Sequence, residues 1–154
     1  MMAKTYKQLV TEALTQIHEI FPWELQAMLE QQANTLVVDL REPAEVATGT
    51  IAKSFAVPRG ILESACEWGY SDTVPALVQA RQQPVVLVCR SGNRSALAAL
   101  SLQLLGYEQV FSLKTGIRGW NDYELPLVDP QGKLVDGDVA DQLLNPPVIT
   151  QDSV

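Results

Sequence analysis

The residues best suited to chemistry lie in one segment, residues 89–95, which reads Cys-Arg-Ser-Gly-Asn-Arg-Ser. An apolar run leads into Cys89, and an apolar helical pattern follows the segment. Gly92 and Asn93 tolerate left-handed backbone, so the amides of a short loop here can turn inward and bind an anion. The helix that follows aims the positive end of its dipole at the same point. The segment therefore predicts a nucleophilic thiol inside an anion-binding loop.

The charges of this loop favour a reactive cysteine over one that merely packs. Arg90 and Arg94 add two permanent positive charges, and a thiol in such a field exists largely as the nucleophilic thiolate. The competing interpretation is a buried strand-end cysteine, because free Cys is among the most buried residue types. We predict Cys89 as the catalytic residue. The predicted substrate ligands are the rest of the loop: Arg90, Ser91, Gly92, Asn93, Arg94 and Ser95.

Four residues outside the loop, or at its edge, have supporting or alternative roles. Arg59 follows a predicted strand and is a candidate for holding the far end of an anionic substrate, although an exposed surface arginine is equally expected there. Asp39 is expected to fix neighbouring loops by accepting hydrogen bonds from amides or from Arg41. Cys66 is expected to be a core residue. Ser95 has a competing role as the N-cap of the following helix.

Short β-rich runs alternate with helical patterns and define the scaffold of the loop. Strands separated by helices indicate an α/β fold with a mainly parallel central sheet flanked by helices. Ligands of such sheets bind at the carboxyl ends of the strands, where Cys89 stands. The predicted strands cover residues 36–40, 55–57, 84–88 and 109–113, and the predicted helices cover residues 61–66, 73–82 and 96–105.

Both ends of the chain differ from this alternating pattern. Apolar residues recur at three- and four-residue spacings up to Phe21, which predicts one amphipathic helix in an N-terminal extension, residues 1–21. Pro22 suits the first position of a second helix. Residues 129–154 are predicted to form a C-terminal hairpin and a loosely held tail. The intervening residues 22–128 form the predicted domain.

Composition and charge narrow the range of functions. The chain has 154 residues, 47% of them apolar, which fits one domain with its own core. Eighteen acidic against eleven basic residues give a net charge of −7, which argues against binding nucleic acid or a membrane surface. The N-terminus lacks a signal-peptide pattern, and two cysteines cannot build a disulfide framework. We therefore expect a cytoplasmic protein that uses no metal, since His18 is its single histidine, and no other cofactor.

The loop and three further segments resemble the rhodanese family of single-domain sulfurtransferases. They occur in the family's order and spacing, which makes the resemblance strong across roughly residues 22–128. Three residues depart from the family pattern: Thr50 replaces the usual His, Thr115 replaces the first of two paired glycines, and Glu124 replaces a glycine. None of these changes touches the loop. The segments are the active-site loop 89–95, the Asp-x-Arg segment 38–45, the Gly-His-Ile-like stretch 49–58, and the closing glycine-tryptophan segment 116–120 with its Leu-Pro at 125–126.

The resemblance implies a rhodanese-like three-layer fold and a double-displacement reaction. The Cys89 thiolate would take the outer sulfur of thiosulfate, release sulfite and hold the sulfur as a persulfide. A second nucleophile, cyanide in an assay or a thiol in the cell, would then accept it. A sulfur-relay protein is a further candidate partner.

Three alternatives to this reaction are open at the level of sequence. Rhodanese-like phosphatases and arsenate reductases carry five residues between Cys and Arg, whereas four precede Arg94 here, and the smaller cradle suits one sulfur atom better than a tetrahedral oxyanion. A non-catalytic rhodanese-like binding module often lacks the cysteine, which this chain retains. The third alternative is a persulfide carrier fed by a cysteine desulfurase, and the sequence does not separate it from a thiosulfate enzyme.

Overall fold

Five parallel strands form the central sheet in the structure, a computed structural model that describes residues 2–154. The strands are β1 His18–Ile20, β2 Leu36–Asp39, β3 Phe55–Ala56, β4 Pro84–Val88 and β5 Gln109–Leu113. They lie in the order β1-β5-β4-β2-β3, and every neighbouring pair is parallel. This confirms the predicted α/β fold with a mainly parallel sheet.

Helices cover both faces of the sheet and give the fold three layers. Successive residues of β4 point to opposite faces, so Val85 and Leu87 join one apolar cluster while Val86 and Val88 join the other. Within residues 2–154 the α-helices are α1 Tyr6–Leu14, α2 Pro22–Gln31, α3 Pro43–Val46, α4 Leu62–Ala65, α5 Pro75–Val78, α6 Asn93–Leu104, α7 Gly116–Asp122 and α8 Gly137–Leu144, with short 3-10 turns at Arg59–Ile61 and Gln151–Ser153.

Strand β4 is the central element that carries Cys89. All five of its residues are buried, because β2 and β5 flank it and helices cover both of its faces. In the register of the sheet, Asp39 of β2 lies opposite Val88 and Ser112 of β5 lies opposite Leu87. The last residues of β4 therefore have one polar residue on each side, just before the chain reaches Cys89.

The predicted N-terminal helix is wrong beyond Leu14. Helix α1 ends at Leu14, and residues 18–20 form strand β1, which extends the sheet beyond β5. The apolar spacing that suggested one helix instead serves two elements, with Val10 and Ala13 buried from α1 and Ile20 buried from β1. Helix α2 begins at Pro22, as predicted.

The predicted C-terminal tail is wrong over residues 137–144, whereas residues 145–154 are exposed and irregular apart from one short 3-10 turn. Helix α8 follows Asp136, whose side chain accepts hydrogen bonds from the amides of the first helical turn. Ala140 and Leu144 of α8 are buried and join the same apolar cluster as α7. The predicted turn before this helix is present, with a hydrogen bond from the Gly132 amide to the Asp129 carbonyl.

The helix after the loop also differs in detail from its prediction. Helix α6 begins at Asn93 rather than at residue 96, and its apolar residues are not all buried, because Leu104 is 89% exposed. Gly106, with a φ of +90°, follows its end in the left-handed conformation that commonly terminates helices. No helix within residues 2–154 is both long and apolar enough to cross a bilayer.

Candidate active site

Cys89 lies at the carboxyl end of β4 and is held by the loop that follows it. Its side chain is only 1% exposed. The Sγ atom accepts hydrogen bonds from the Gly92 amide at 3.1 Å and from the Ser95 amide at 3.4 Å. The Ser95 hydroxyl lies 3.4 Å from the same sulfur. Two amides and one hydroxyl thus converge on the thiol, in an arrangement suited to an anionic sulfur.

The local backbone explains how the amides reach the sulfur. Gly92 is the N-cap of α6 and has a φ of +99°, a left-handed conformation that favours glycine. It has no side chain to cap the helix, and the Cys89 sulfur accepts the amide proton of Ser95, the third helical residue, in its place. The positive end of the α6 dipole therefore points at Sγ. The alternative role of Ser95 as the N-cap is wrong, because Gly92 holds that position.

Helix α7 supports the same loop from the side of β5. The Ile117 amide donates to the Cys89 carbonyl at 2.8 Å, and the Arg118 amide donates to the Arg90 carbonyl at 3.0 Å. Gly116 has a φ of +64°, and a Cβ atom at this position would collide with both of those carbonyls. A glycine is therefore required where α7 meets the loop.

Arg94 is bound to Glu45 rather than directed at the sulfur. Its Nη1 and Nη2 atoms lie 2.8 and 3.0 Å from Oε1 and Oε2 of Glu45, which is part of α3. The hydrogen bonds from Arg94 hold the pKa of Glu45 below its usual value, against the opposing effect of burial. The contact ties the loop to the segment that follows β2.

The remaining predicted loop residues occupy different environments. Arg90 is half-buried and borders a cavity of about 280 Å³, which is also lined by Glu45 and by Leu144. Asn93 is exposed, and Ser91 is half-buried. Within residues 2–154 the Ser91 side chain makes no hydrogen bond to the Cys89 sulfur, so the hydroxyl that reaches Sγ comes from Ser95 alone.

Arg59 is not brought to the loop. Its Nη1 atom lies 2.9 Å from Oε1 of Glu63, one turn further along the chain, and its Nη2 atom lies 3.4 Å from the Ser101 hydroxyl. None of the hydrogen bonds of its guanidinium group within the described part of the chain involves residues 89–95.

Asp39 has the structural role that the sequence suggests. It is fully buried and forms an ion pair with the buried Arg41, with Oδ2 2.8 Å from Nη2. Arg41 also donates to the Gly49 carbonyl at 2.7 Å, and the Thr50 hydroxyl donates to Asp39 Oδ2 at 2.7 Å. Thr50, which departs from the family pattern, thus completes the hydrogen bonding of this carboxylate.

Ser112 is a residue of the site that the sequence analysis missed. It lies on β5, is fully buried, and has its Oγ atom 2.7 Å from the Ser95 Oγ. A single serine in a β-rich run carries no sequence signal of function. Only the register of β5 beside β4 brings it behind the loop.

The second cysteine is a core residue, as predicted. Cys66 is fully buried, and this burial raises the pKa of its thiol. Its carbonyl accepts a hydrogen bond from Arg81, whose guanidinium also contacts the Tyr107 hydroxyl at 2.7 Å. Both cysteines are free.

The parallel sheet, the strand-end cysteine and the amide-lined loop define a rhodanese-like domain, and comparison with known families supports this class. The model of the rhodanese-like domain matches residues 22–123. The chain therefore belongs to the rhodanese family.

Individual relatives show how far this similarity extends. A sulfurtransferase from Allochromatium vinosum is 33% identical over 116 residues, which cover 75% of this chain and 99% of the relative. A thiosulfate sulfurtransferase from Tolumonas auensis is 28% identical over 96 residues, which cover 61% of this chain and 79% of the relative. A solved structure from Rhodopseudomonas palustris, a protein of unknown function described as a possible tyrosine phosphatase, has a TM-score of 0.74 and 28% identity, covering 82% of this chain and 96% of that one.

Proposed function

We propose that the protein is a sulfurtransferase that moves a sulfane sulfur from thiosulfate, or another donor, to a thiophilic acceptor through a persulfide on Cys89. The observation that carries this proposal is the set of three polar groups that converge on Sγ at the start of α6: the Gly92 and Ser95 amides, which donate to the sulfur, and the Ser95 hydroxyl, which lies beside it. Donors in this arrangement stabilise negative charge on sulfur without an external base. Sulfurtransferase-named relatives support the same reaction class.

The first half-reaction loads the cysteine. A lone pair of the Cys89 thiolate forms a bond to the outer sulfur of thiosulfate, the sulfur–sulfur bond of the donor breaks, and its electron pair leaves with sulfite. The negative charges of the donor and of the persulfide both favour the positive end of the α6 dipole. The half-buried Arg90 is the loop cation nearest in sequence to the sulfur and is the proposed ligand of the departing sulfite.

The second half-reaction unloads the cysteine. The acceptor, cyanide in an assay or a thiol in the cell, donates a lone pair to the outer sulfur. The bond between that sulfur and Sγ breaks, and its electron pair returns to Cys89 as the thiolate. A sulfur-relay protein is a candidate partner for this step. The cytoplasm is the proposed location, because both cysteines are free and a reducing compartment keeps thiols in that state.

Phosphatase activity is the alternative that the description of the Rhodopseudomonas relative raises. Four residues separate Cys89 from Arg94 in this chain, one fewer than in rhodanese-like phosphatases. The guanidinium of Arg94 is also engaged by both carboxylate oxygens of Glu45, so it is not free to hold a phosphoryl group. These observations favour sulfur transfer over phosphate hydrolysis.

Replacement of each cysteine in turn tests the proposal. Cys89→Ser should abolish thiosulfate:cyanide activity and leave a normal thermal melt, since the amides of the loop remain. Cys66→Ser is the matched control and should retain most of the activity. Mass spectrometry after incubation with thiosulfate should find one added sulfur on the peptide that contains Cys89.

Two other results would separate the alternatives. A Cys89 persulfide that forms only from a cysteine desulfurase, with no turnover of thiosulfate, would identify a persulfide carrier. A protein that forms no persulfide from either donor would be a binding module, and the proposal would fail.

A further inference from the structure

We propose that Ser112 is a positioning residue for the reaction at Cys89, because its buried hydroxyl directs the proton of Ser95 at the sulfur. This inference rests on the proposed sulfur transfer and deepens it. Ser112 Oγ lies 2.7 Å from Ser95 Oγ, which lies 3.4 Å from Cys89 Sγ. Both serines are fully buried, so bulk water does not reach either hydroxyl.

The direction of this hydrogen-bond chain follows from counting protons and acceptors. Each hydroxyl has one proton to donate. Within residues 2–154, the Ser112 Oγ atom has no hydrogen-bond partner other than Ser95 Oγ, so its proton is satisfied only when it is donated to Ser95. Ser95 then donates its own proton to Sγ. In the opposite direction the proton of Ser112 would be buried without an acceptor, which is unfavourable.

A hydroxyl donor aimed at Sγ helps both halves of the reaction. The sulfur is negatively charged when it attacks the donor, and again when it leaves the persulfide as a thiolate. A hydrogen bond to an ionised acceptor is stronger than one to a neutral acceptor, so the Ser95 donor favours both of these states. Without Ser112, the Ser95 proton can turn instead to a backbone carbonyl of the preceding turn, as helical serines do.

The pH dependence of Cys89 alkylation tests this role without a sulfur donor. In Ser112→Ala, the midpoint of the iodoacetamide rate profile should move to higher pH. The rate below the midpoint should fall about two- to tenfold, the range expected for one net hydrogen bond. Mass spectrometry of the peptide that contains Cys89 provides the readout. Ser101→Ala is the matched control. Ser101 lies on α6, as Ser95 does, but its hydroxyl contacts Arg59 Nη2 and not the sulfur.

A second pair of variants separates the effect of the Ser112 hydroxyl from the effect of changed packing around residue 112. Ser112→Thr and Ser112→Val have the same shape, and only threonine retains the hydroxyl. The alkylation profile of the threonine variant should therefore lie at lower pH than that of the valine variant, even if the added methyl groups destabilise both proteins equally.

A double-mutant cycle decides whether Ser112 acts through Ser95. In a Ser95→Ala background the relay is already broken, so Ser112→Ala should cause no further shift. An unchanged profile in folded Ser112→Ala, or the same shift with and without Ser95, would overturn the inference. If the shift appears as expected but thiosulfate and persulfide donors are not used, the proposed function fails and the positioning of the Cys89 thiolate by Ser112 still holds.

Discussion

Arg94 and Glu45 are 49 residues apart in the chain and form a two-point ion pair, in which Nη1 and Nη2 each lie within 3.0 Å of one carboxylate oxygen. Arg94 is the second residue of α6, one position before the amide that donates to the Cys89 sulfur. Glu45 lies on α3, which follows the buried Asp39–Arg41 pair. The ion pair thus connects the start of α6 to α3, the short helix that follows the neighbouring strand β2.

The first prediction concerns the role of Arg94. If it positions the loop, Arg94→Ala and Glu45→Gln should each lower kcat/KM by about ten- to a hundredfold, the scale of a misplaced reacting group. The double variant should be no worse than either single one, because both remove the same contact. If Arg94 instead binds the donor directly, Glu45→Gln should free it and preserve or raise activity. Steady-state kinetics of the three variants with thiosulfate distinguish these outcomes.

The second prediction gives the pH dependence of this ion pair. Arg94 lowers the pKa of Glu45 in the folded protein, so the contact stabilises the fold above the unfolded pKa of about 4.3 and its contribution is lost as the pH falls through the lower, folded pKa. Urea unfolding should therefore find the native protein more stable than Glu45→Gln at pH 7, by on the order of 1 kcal/mol for a partly exposed pair. The difference should shrink as the pH falls below about 4 and vanish once Glu45 is protonated in the folded protein. A constant difference across this range would contradict the assignment.

The third prediction concerns Thr115, where the family usually has a glycine. Its φ of +68° is left-handed, which costs a branched residue about 1–2 kcal/mol. Thr115→Gly removes this strain but adds freedom to the unfolded chain worth about 0.4–1 kcal/mol. The free energy of unfolding should rise by up to about 1 kcal/mol, and Tm by about 2–4 °C. A thermal melt measures the change in Tm. A lower Tm for Thr115→Gly would show that the contacts of the threonine side chain stabilise the fold by more than its backbone strain costs.

Gly119 provides the control for this prediction. A Cβ atom at Gly119 would overlap the Thr115 side chain. Gly119→Ala should therefore destabilise the native protein, although Ala in a helix interior is normally favoured over Gly by about 0.5–1 kcal/mol. In a Thr115→Gly background the same change should be stabilising. The reversal of sign identifies the contact between these two positions as the cause.

The fourth prediction concerns Thr50, which donates to the buried carboxylate of Asp39 at 2.7 Å. Thr50→Val keeps the shape and removes the donor. It should lower the free energy of unfolding by about 1.5–3 kcal/mol, the range for a hydrogen bond to a charged group. Thr50→Ser retains the hydroxyl and should lose much less. Equal losses in the two variants would mean that the methyl group, not the hydrogen bond, matters at this position.

Strong local signals explain which parts of the fold were predictable. The predicted bounds of β4 and β5 agree with the observed ones, because each strand is a short β-rich run with a clear boundary. Strand β1 was missed because His18 to Ile20 continues the apolar spacing of a helix, and only pairing with β5 makes it a strand. Helix α8 was missed because its burial depends on contacts with α7, which no local pattern reveals.

The same distinction applies to the site. Cys89 and the loop that holds it are contiguous in sequence, so the amide-lined loop around the thiol could be predicted from the sequence. The engagement of Arg94 by Glu45 and the position of Ser112 behind Ser95 depend on long-range packing. Arg59 had the residue type and strand-end position of a ligand, but its pairing with Glu63 one helical turn away holds it apart from the loop.

The last prediction tests whether loop length selects the reaction. One glycine inserted between Asn93 and Arg94 restores the five-residue spacing of the phosphatase class. The insertion separates the Ser95 amide from Sγ and Arg94 from Glu45, which now lie at 3.4 and 2.8 Å respectively. Since a shift of about 1 Å can lower a rate about a hundredfold, thiosulfate:cyanide activity should fall steeply.

A matched insertion and a second substrate complete this experiment. A glycine inserted after Pro130, in the exposed turn before Lys133, should leave activity unchanged and controls for the added residue. The loop variant should keep a cooperative thermal melt, because the buried residues of α6 from Ala96 to Leu102 retain their core contacts. It should also be assayed with an activated aryl phosphate, which a larger cradle would accommodate. Undiminished sulfur transfer in a folded loop variant would mean that loop length does not govern the chemistry. Loop length would then no longer be an argument against phosphatase activity.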